Sequence, residues 1–165
     1  MWWLLVNLGT AILAASVIAA FSGAIEKLVA LSALMTIVSG MGGNAATQTM
    51  AVTVRALATN QLTASNSWRM IAREWWIAVA NGVGLGALMA IGCQLWYHDT
   101  GLSAILFAAM VINSINAGLS GVLIPIGLDR LKVDPAITST IFVTTMTDCM
   151  GFFALLGLAT AFGVK

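Results

Sequence analysis

Residues 135–163 read PAITSTIFVTTMTDCMGFFALLGLATAFG, an apolar run with one charged side chain, that of Asp148. About 20 consecutive apolar residues are enough for an α-helix to cross the hydrocarbon core of a bilayer. Pro135 suits the first turn of such a helix, where its missing amide hydrogen is not needed. The run therefore predicts a membrane-spanning helix with one carboxyl group deep inside it.

Similar apolar runs fill the rest of the chain, of which 60% is hydrophobic and only 8% charged. An ordinary soluble domain has about a quarter of its residues charged. The long runs also lack the alternation of a transmembrane barrel, whose strands are about ten residues long. We therefore predict an all-α integral membrane protein in which residues 1–165 form one domain of five transmembrane helices. Its spans are expected at about 2–21, 28–58, 75–97, 102–128 and 135–163.

Charge placement predicts the orientation of these helices. The 7 basic and 6 acidic residues nearly balance, so no basic surface for nucleic acid is expected. Positive residues of short loops favour the cytoplasmic side. One side has five of them and the other has only Lys27 and Lys165; the five are Arg55, Arg69, Arg73, Arg130 and Lys132. This asymmetry predicts a cytoplasmic amino terminus and an external carboxyl terminus in the inner (plasma) membrane.

Two of the predicted spans contain residues that disfavour a regular helix. Three glycines within Ser39–Asn44 each weaken a helix by about 1 kcal/mol relative to alanine, which predicts a kink or an unwound segment there. Such a break is tolerated at membrane depth where it lines a cavity. Pro125 is expected to break the fourth span near its end, and residues 22–27 to form a tight turn.

Asp148 is the strongest candidate for a functional residue. An ionisable group at the centre of a span costs about 2.5 to 3.5 kcal/mol on insertion scales. On a helix, Thr144, Asp148 and Gly151 share one face, and Thr145 borders it. Arg55 lies near the end of the second predicted span, and no basic residue or histidine lies deep inside any span. The partner of the carboxylate is therefore a proton or a mobile cation. A protonated aspartate bonded to a neighbouring helix is the structural alternative.

A second polar cluster lies beside the glycines of the second span. Asn44 and Gln48 are one turn apart and follow Gly42 and Gly43. Amide and main-chain oxygens are hard donors that suit Mg²⁺ or Ca²⁺. We predict that these four residues line a pore, the alternative being that Asn44 and Gln48 only join helices. No base and nucleophile pair lies within the spans, so an enzyme is not expected.

The order and spacing of the polar motifs resemble the membrane domain of the MgtE family of magnesium transporters. The likeness extends over essentially the whole chain and departs from the common pattern at Ser22 and Ala46. The matching motifs are Gly40–Gln48, Arg73-Glu74 with Asn81-Gly82, Leu123-Ile124-Pro125, Asp134-Pro135-Ala136 with Ser139, and Thr144–Asp148 with Gly151.

The resemblance implies a homodimer with a channel-like Mg²⁺ pore along its two-fold axis, lined by the second and fifth spans. It implies that Asp148 recognises the hydrated ion with the main-chain oxygen of Thr144, and that Asn44 lies on the same path. Family members usually also have a soluble amino-terminal domain and CBS domains that close the pore. Neither is found in these 165 residues, so the chain is expected to be either a minimal natural relative or an excised pore domain, and its abrupt apolar start favours excision. Without those domains, closure by cytosolic Mg²⁺ is not expected.

Two other functional classes are compatible with a buried acid in a membrane helix. A proton- or sodium-coupled carrier would use Asp148 to bind the coupling ion. A membrane scaffold would transport nothing and would tolerate the loss of Asp148. Selectivity among Mg²⁺, Co²⁺, Zn²⁺ and Ca²⁺ does not follow from the residue pattern.

Overall fold

A computed structural model of the protein describes residues 1–27, 29–62 and 66–163, apart from the side chains of Lys27 and Ile137. The polar residues 63–65 and Lys165, one of the basic residues on which the predicted orientation depends, lie outside the described residues. All regular secondary structure in the described part is α-helical. The helices are α1 (Trp2–Ala20), α2 (Ser22–Lys27), α3 (Ala30–Ala58), α4 (Ser67–Tyr97), α5 (Thr100–Arg130) and α6 (Pro135–Ala161).

Two aspartates set the starts of the last long helices. The Asp134 carboxylate accepts a hydrogen bond from the Ala136 amide at 2.9 Å, and Pro135 occupies the first turn of α6. Asp99 accepts at 2.8 Å from the Gly101 amide at the start of α5. Such caps satisfy amide hydrogens that have no partner inside a helix. Helix α6 begins at Pro135, the residue at which the last span is predicted to start.

Helix α5 is the centre of the bundle and packs against α3, α4 and α6. Asn113 of α5 contacts Val38 and Gly42 of α3. Further along both helices, Gly121 of α5 lies against Ala46 of α3. These contacts advance together, so α3 and α5 run parallel.

Contacts between α3 and α6 advance in opposite directions. Ser39 pairs with Asp148, whereas Met50, near the other end of α3, pairs with Thr140. Helices α3 and α6 are therefore antiparallel. This arrangement brings the polar segments of both helices to the same level of the bundle.

Four described helices are long and apolar enough to cross a membrane, namely α1, α4, α5 and α6. Helix α3 is not among them, although its 29 residues reach about 43 Å at 1.5 Å per residue. Its serine, threonine, glycine, asparagine and glutamine residues lower its mean hydropathy. The all-helical class is confirmed, with four candidate spans identified by length and composition.

The predicted unwound segment in the second span is wrong. Helix α3 is continuous from Ala30 to Ala58, and residues 39–44 are helical throughout. Gly42 is buried and is needed for the close approach of Asn113, as described below. Packing of a helix commonly outweighs intrinsic propensity, which is a weak preference by comparison.

The predicted break at Pro125 and the turn at 22–27 also differ from the structure. Helix α5 continues through Pro125 to Arg130, since Pro125 is buried among neighbouring helices that hold the segment. Proline removes one helical hydrogen bond, but it does not always end a helix that is packed on several sides. Residues 22–27 form the short helix α2.

Candidate cation site

The carboxylate of Asp148 meets a hydroxyl group from another helix. Ser39 on α3 donates a hydrogen bond from Oγ to Oδ1 of Asp148 on α6. Ser39 is buried and Asp148 is half-buried. A hydroxyl donor stabilises the ionised carboxylate, and one donor leaves most of its acceptor positions free. The carboxylate is thus oriented by the fold while part of it stays accessible.

The threonines around Asp148 bond to their own helix. Thr144 donates to the Thr140 carbonyl oxygen at 2.8 Å, and Thr145 donates to Ile141 at 2.7 Å. These hydroxyl hydrogens are therefore engaged, whereas their oxygens can still accept. Thr144 and Thr145 are both half-buried on α6.

The main-chain oxygen of Thr144 also has a side-chain partner. The Thr147 hydroxyl donates to it at 2.9 Å and has a second acceptor, the Val143 oxygen, at 3.2 Å. A carbonyl oxygen has two lone pairs, and a helix uses one of them. Rotation of the buried Thr147 hydroxyl towards Val143 would free the Thr144 oxygen for another donor, such as a water molecule.

Asn113 fixes α3 at the level of Asp148. Its side-chain nitrogen donates to the Val38 carbonyl oxygen at 2.8 Å. A β-carbon on Gly42 would lie 2.1 Å from that nitrogen, and one on Gly151 would lie 3.0 Å from it. Both glycines are buried, so their missing side chains make room for the Asn113 amide and the crossing of α3 and α6.

The asparagines of α5 join it to neighbouring helices. Asn113 joins α5 to α3, and Asn116 donates to the Met146 oxygen of α6 at 3.1 Å. The Oδ1 atom of Asn113 is buried without a hydrogen-bond partner among the described residues. This oxygen lies 3.2 Å from the position of a β-carbon on Gly42, so an unpaired acceptor faces α3 near the level of Asp148.

The other predicted residues of α3 lie along the same helix but do not touch Asp148. Asn44 is exposed on the surface of the single chain. It lies five residues after Ser39, about 7 Å along the axis of α3. Gly43 is half-buried near Thr147 of α6, with 3.8 Å between Thr147 Oγ1 and the position of a β-carbon on Gly43. Gln48 is exposed one turn further on and lines a separate cavity.

Several exposed residues of α3 form a polar stripe on the surface of the single chain, alongside the exposed apolar side chains of Ile37 and Val52. This stripe is unfavourable against lipid tails at Asn44 and Gln48, whose amide groups would find no hydrogen-bond partner there, although the Thr36 and Thr47 hydroxyls donate within α3. It therefore requires water or another protein surface. The stripe contains Thr36, Gly40, Asn44, Thr47 and Gln48.

Two buried polar residues, one at Asp148 and one elsewhere in the bundle, do not stand out in the sequence. Ser39 was considered only as part of the glycine segment, although it is the hydrogen-bond partner of Asp148. Glu74 lies just before the predicted third span, yet it is buried, and Thr49 donates to its carboxylate at 3.2 Å. The position of Glu74 beside Arg73 concealed its burial, whereas its four-residue spacing from Ala78 on the buried face of α4 was the available signal.

A single chain does not gather enough ligands to strip a metal ion of its water. No cluster of three or more histidine, cysteine, aspartate or glutamate side chains occurs within the described ranges. The geometry around Asp148 offers one carboxylate, hydroxyl oxygens and main-chain oxygens. Such a set suits outer-shell contacts with a hydrated cation, and a second copy of the chain would double the charge.

Comparisons with known proteins agree with this chemistry. Residues 35–158 match the family model MgtE, described as a divalent cation transporter. The chain is 35% identical over 160 residues to the magnesium transporter MgtE of Bacillus subtilis and 31% identical over 160 residues to that of Enterococcus faecalis. It is 29% identical over 157 residues to the magnesium transporter MgtE of Thermus thermophilus.

The similarity extends over nearly all of this chain but only part of each relative. The alignments cover 95% to 97% of the chain and 35% to 36% of the relatives. The chain thus spans about a third of the length of the curated relatives it matches.

Proposed function

Because the chain belongs to the MgtE family of divalent cation transporters, we propose that it conducts Mg²⁺ across a membrane through a pore between two copies of itself. The chain is a multi-pass membrane protein. The observation that carries the proposal is the oriented, half-buried Asp148 carboxylate, which receives the Ser39 hydroxyl and faces no basic residue of its own helix. A divalent cation supplies the missing positive charge.

Five crossings rather than four account best for the helix directions. Helix α3 is parallel to α5 and antiparallel to α6, as expected if each long helix crosses once and the next one returns. Helix α3 lies between α1 and α4 in the chain. If α3 did not cross the membrane, the end of α1 and the start of α4 would have to lie on the same side of it, which does not fit the parallel course of α3 and α5. We propose that α3 is the fifth span and that its polarity reflects contact with water.

A homodimer explains the polar stripe on α3. In the single chain, this stripe has no cover, and Asn44 is exposed. Two copies related by a two-fold axis would bring two Asp148 carboxylates to one ion and give four polar helices around one path. This proposal includes the predicted pore-lining residues, of which Gly42 and Gly151 contribute by allowing the helices to pack closely. The others are Gly43, Gln48 and Thr145.

Recognition is proposed to take place through the water shell of the ion. Mg²⁺ releases its waters reluctantly and prefers octahedral geometry. Coordinated waters would donate hydrogen bonds to Asp148 and to the main-chain oxygen of Thr144, while Asn44 would accept one further along the path. Contacts through water hold the ion without dehydrating it, which permits both binding and release.

Orientation follows the distribution of basic residues. The ends of α3 and α4 near the 59–66 loop and the α5–α6 loop contain five arginine or lysine residues, which favours the cytoplasmic side of the plasma membrane. The amino terminus would then be cytoplasmic and the carboxyl terminus external. Transport of this kind involves no covalent chemistry, so the proposed role is not enzymatic.

Ion flux into proteoliposomes tests the proposed function. The purified chain is reconstituted, and Mg²⁺ entry is followed with an internal indicator while proton and sodium gradients are imposed one at a time. A channel-like pore gives saturable Mg²⁺ entry that follows the Mg²⁺ driving force alone. Flux that requires a proton or sodium gradient would identify a coupled carrier, and absence of flux would favour a scaffold.

A further inference from the structure

A polar cavity separate from the Asp148 region lies between α3 and α4. Both helices pack against α5, and α5 forms one wall of the space between them, which has a volume of about 190 Å³. Gln48 and Thr49 of α3, Glu74 and Asn81 of α4, and Ser114 of α5 line it. At about 30 Å³ per water molecule, this volume corresponds to about six waters. The cavity is therefore large enough for a small cation with part of its water shell.

Glu74 gives this cavity its charge. It is only 8% exposed, and the Thr49 hydroxyl donates to its Oε2 at 3.2 Å. No basic side chain is found among the described residues that line the cavity. A carboxylate that is removed from bulk water needs a counter-charge or a proton, because burial disfavours its charged form. One hydroxyl donor does not supply that charge.

The other polar groups of the cavity suit a hard cation. Gln48 and Asn81 contribute amide oxygens, and Ser114 contributes a hydroxyl oxygen. Oxygen donors of this kind are typical of Mg²⁺ and Mn²⁺ sites, in which several waters are kept. Residues with oxygen-bearing side chains from three helices thus line one space beside a buried carboxylate.

This cavity is distinct from the site at Asp148. Gln48 lies nine residues after Ser39 on α3, which is about 14 Å along the helix axis. It lies towards the 59–66 loop, because Glu74 is near the start of α4. Gln48 also belongs to the exposed polar stripe of α3, so the cavity is continuous with the surface assigned to the pore.

We propose that the Glu74 cavity is a second binding site for a hydrated divalent cation, one in each chain, in series with the Asp148 site. The inference rests on the proposed function, since it takes the transported ion as the ligand. Ions would pause here on the 59–66 side of the path. The pair of Asp148 carboxylates would hold one ion per dimer, whereas the two Glu74 cavities would hold two.

Counting bound Mn²⁺ tests this arrangement, with the free ion measured by electron paramagnetic resonance. The full chain is purified in zwitterionic detergent, and competition by Mg²⁺ identifies the sites shared with the transported ion. We expect three Mg²⁺-sensitive Mn²⁺ ions per two wild-type chains. Asp148→Asn should leave two, Glu74→Gln should leave one, and the double variant none. Asp129→Asn, which removes an exposed carboxylate at the end of α5, is the matched control and should behave as wild type.

The results separate this inference from the proposed function. Wild-type Mn²⁺ binding by Glu74→Gln overturns the cavity site and indicates a protonated glutamate or a cavity filled by the partner chain. Loss of two ions in Glu74→Gln, together with unchanged binding and flux in Asp148→Asn, would support the cavity and contradict the pore assignment. The two hypotheses therefore fail in different variants.

A substitution at a second residue of the cavity, the uncharged Gln48, provides the test if Glu74→Gln does not fold. Gln48 is exposed on α3, so Gln48→Ala should preserve the packing. In the Asp148→Asn background, we expect it to raise the Mn²⁺ dissociation constant by about fivefold, the effect of one lost hydrogen bond. An unchanged dissociation constant would overturn the proposal.

Discussion

Ser39 and Asp148 lie 109 residues apart in the chain, yet the Ser39 hydroxyl donates its hydrogen bond to the Asp148 carboxylate. This contact joins α3 to α6 at the level where Gly42, Gly151 and Asn113 allow the helices to approach closely. The carboxylate proposed to recognise the ion is thus oriented by a residue of the opposite pore helix. Changes on α3 are expected to alter ion binding on α6.

Ser39→Ala should reduce Mg²⁺ flux while leaving the helices assembled. The variant removes one hydrogen bond to a carboxylate, which is worth about 1.5 to 3 kcal/mol when the group is charged. We expect half-saturation at a higher Mg²⁺ concentration. The loss of Mg²⁺ flux should be smaller than in Asp148→Asn, because the charge of Asp148 remains. Mg²⁺-dependent uptake into proteoliposomes measures both quantities. Half-saturation equal to that of wild type would show that Ser39 does not orient the carboxylate.

Gly42→Ala should destabilise the chain, whereas Gly84→Ala should not. A β-carbon at 42 would lie 2.1 Å from the Asn113 nitrogen, but one at 84 would have no heavy atom within 4 Å. Overpacking of this kind costs about 1 to 3 kcal/mol, while alanine at an open helical position gains up to about 1 kcal/mol. Thermal unfolding in detergent, followed by circular dichroism, compares the two variants. Equal stability would contradict the packing assigned to Asn113.

The course of the helices could be predicted from local sequence, but the role of the α3 glycines could not. Pro135 and Asp134 mark the start of α6 through interactions within a few residues, and the apolar runs identify the remaining long helices. Gly42 looks like a helix breaker until the position of Asn113, some 70 residues away, is known. Tertiary packing then reverses the effect expected from intrinsic propensity.

The candidate site was predictable only in part for the same reason. Asp148 stands out because a lone acid in an apolar run is costly. Ser39 is an ordinary residue on its own helix, and only the crossing of α3 and α6 makes it a partner. Glu74 resembles a charged helix end until α3 covers it through Thr49. Contacts between distant segments decide the roles of Ser39 and Glu74, and the local sequence pattern does not show those contacts.

Asn44→Ala should lower Mg²⁺ conduction less than substitution of Asp148. The amide is exposed on the polar stripe of α3 and supplies a hydrogen bond to the water shell of the ion, but no charge. We expect a reduction of about two- to tenfold in flux, with a change in the ratio of Mg²⁺ to Ca²⁺ entry. Proteoliposome flux with each ion alone provides the comparison. If total flux and this ratio both match wild type, Asn44 is a packing residue.

Disulfide cross-linking tests the proposed position of α3 at the dimer axis. In a Cys93→Ser, Cys149→Ser background, Asn44→Cys should form a dimer between chains under mild oxidation, because α3 would face its copy. Leu88→Cys on α4 is the matched control, since its side chain is exposed and would face lipid. Gel electrophoresis without reductant separates the two outcomes. Cross-linking at 88 but not at 44 would place the dimer contact on another face.

The most direct measurement is Mg²⁺ entry into proteoliposomes containing wild type, Asp148→Asn, Asp148→Ala or Asp129→Asn. Asp148→Asn keeps the size of the side chain and removes its charge, and size-exclusion chromatography verifies that each variant is assembled. We expect Mg²⁺ flux to fall at least tenfold in both Asp148 variants, a change of about 1.4 kcal/mol or more in ion binding. Asp129→Asn should remain near wild type. Wild-type Mg²⁺ flux in both assembled Asp148 variants would contradict the assignment of this carboxylate as the ion-recognition group.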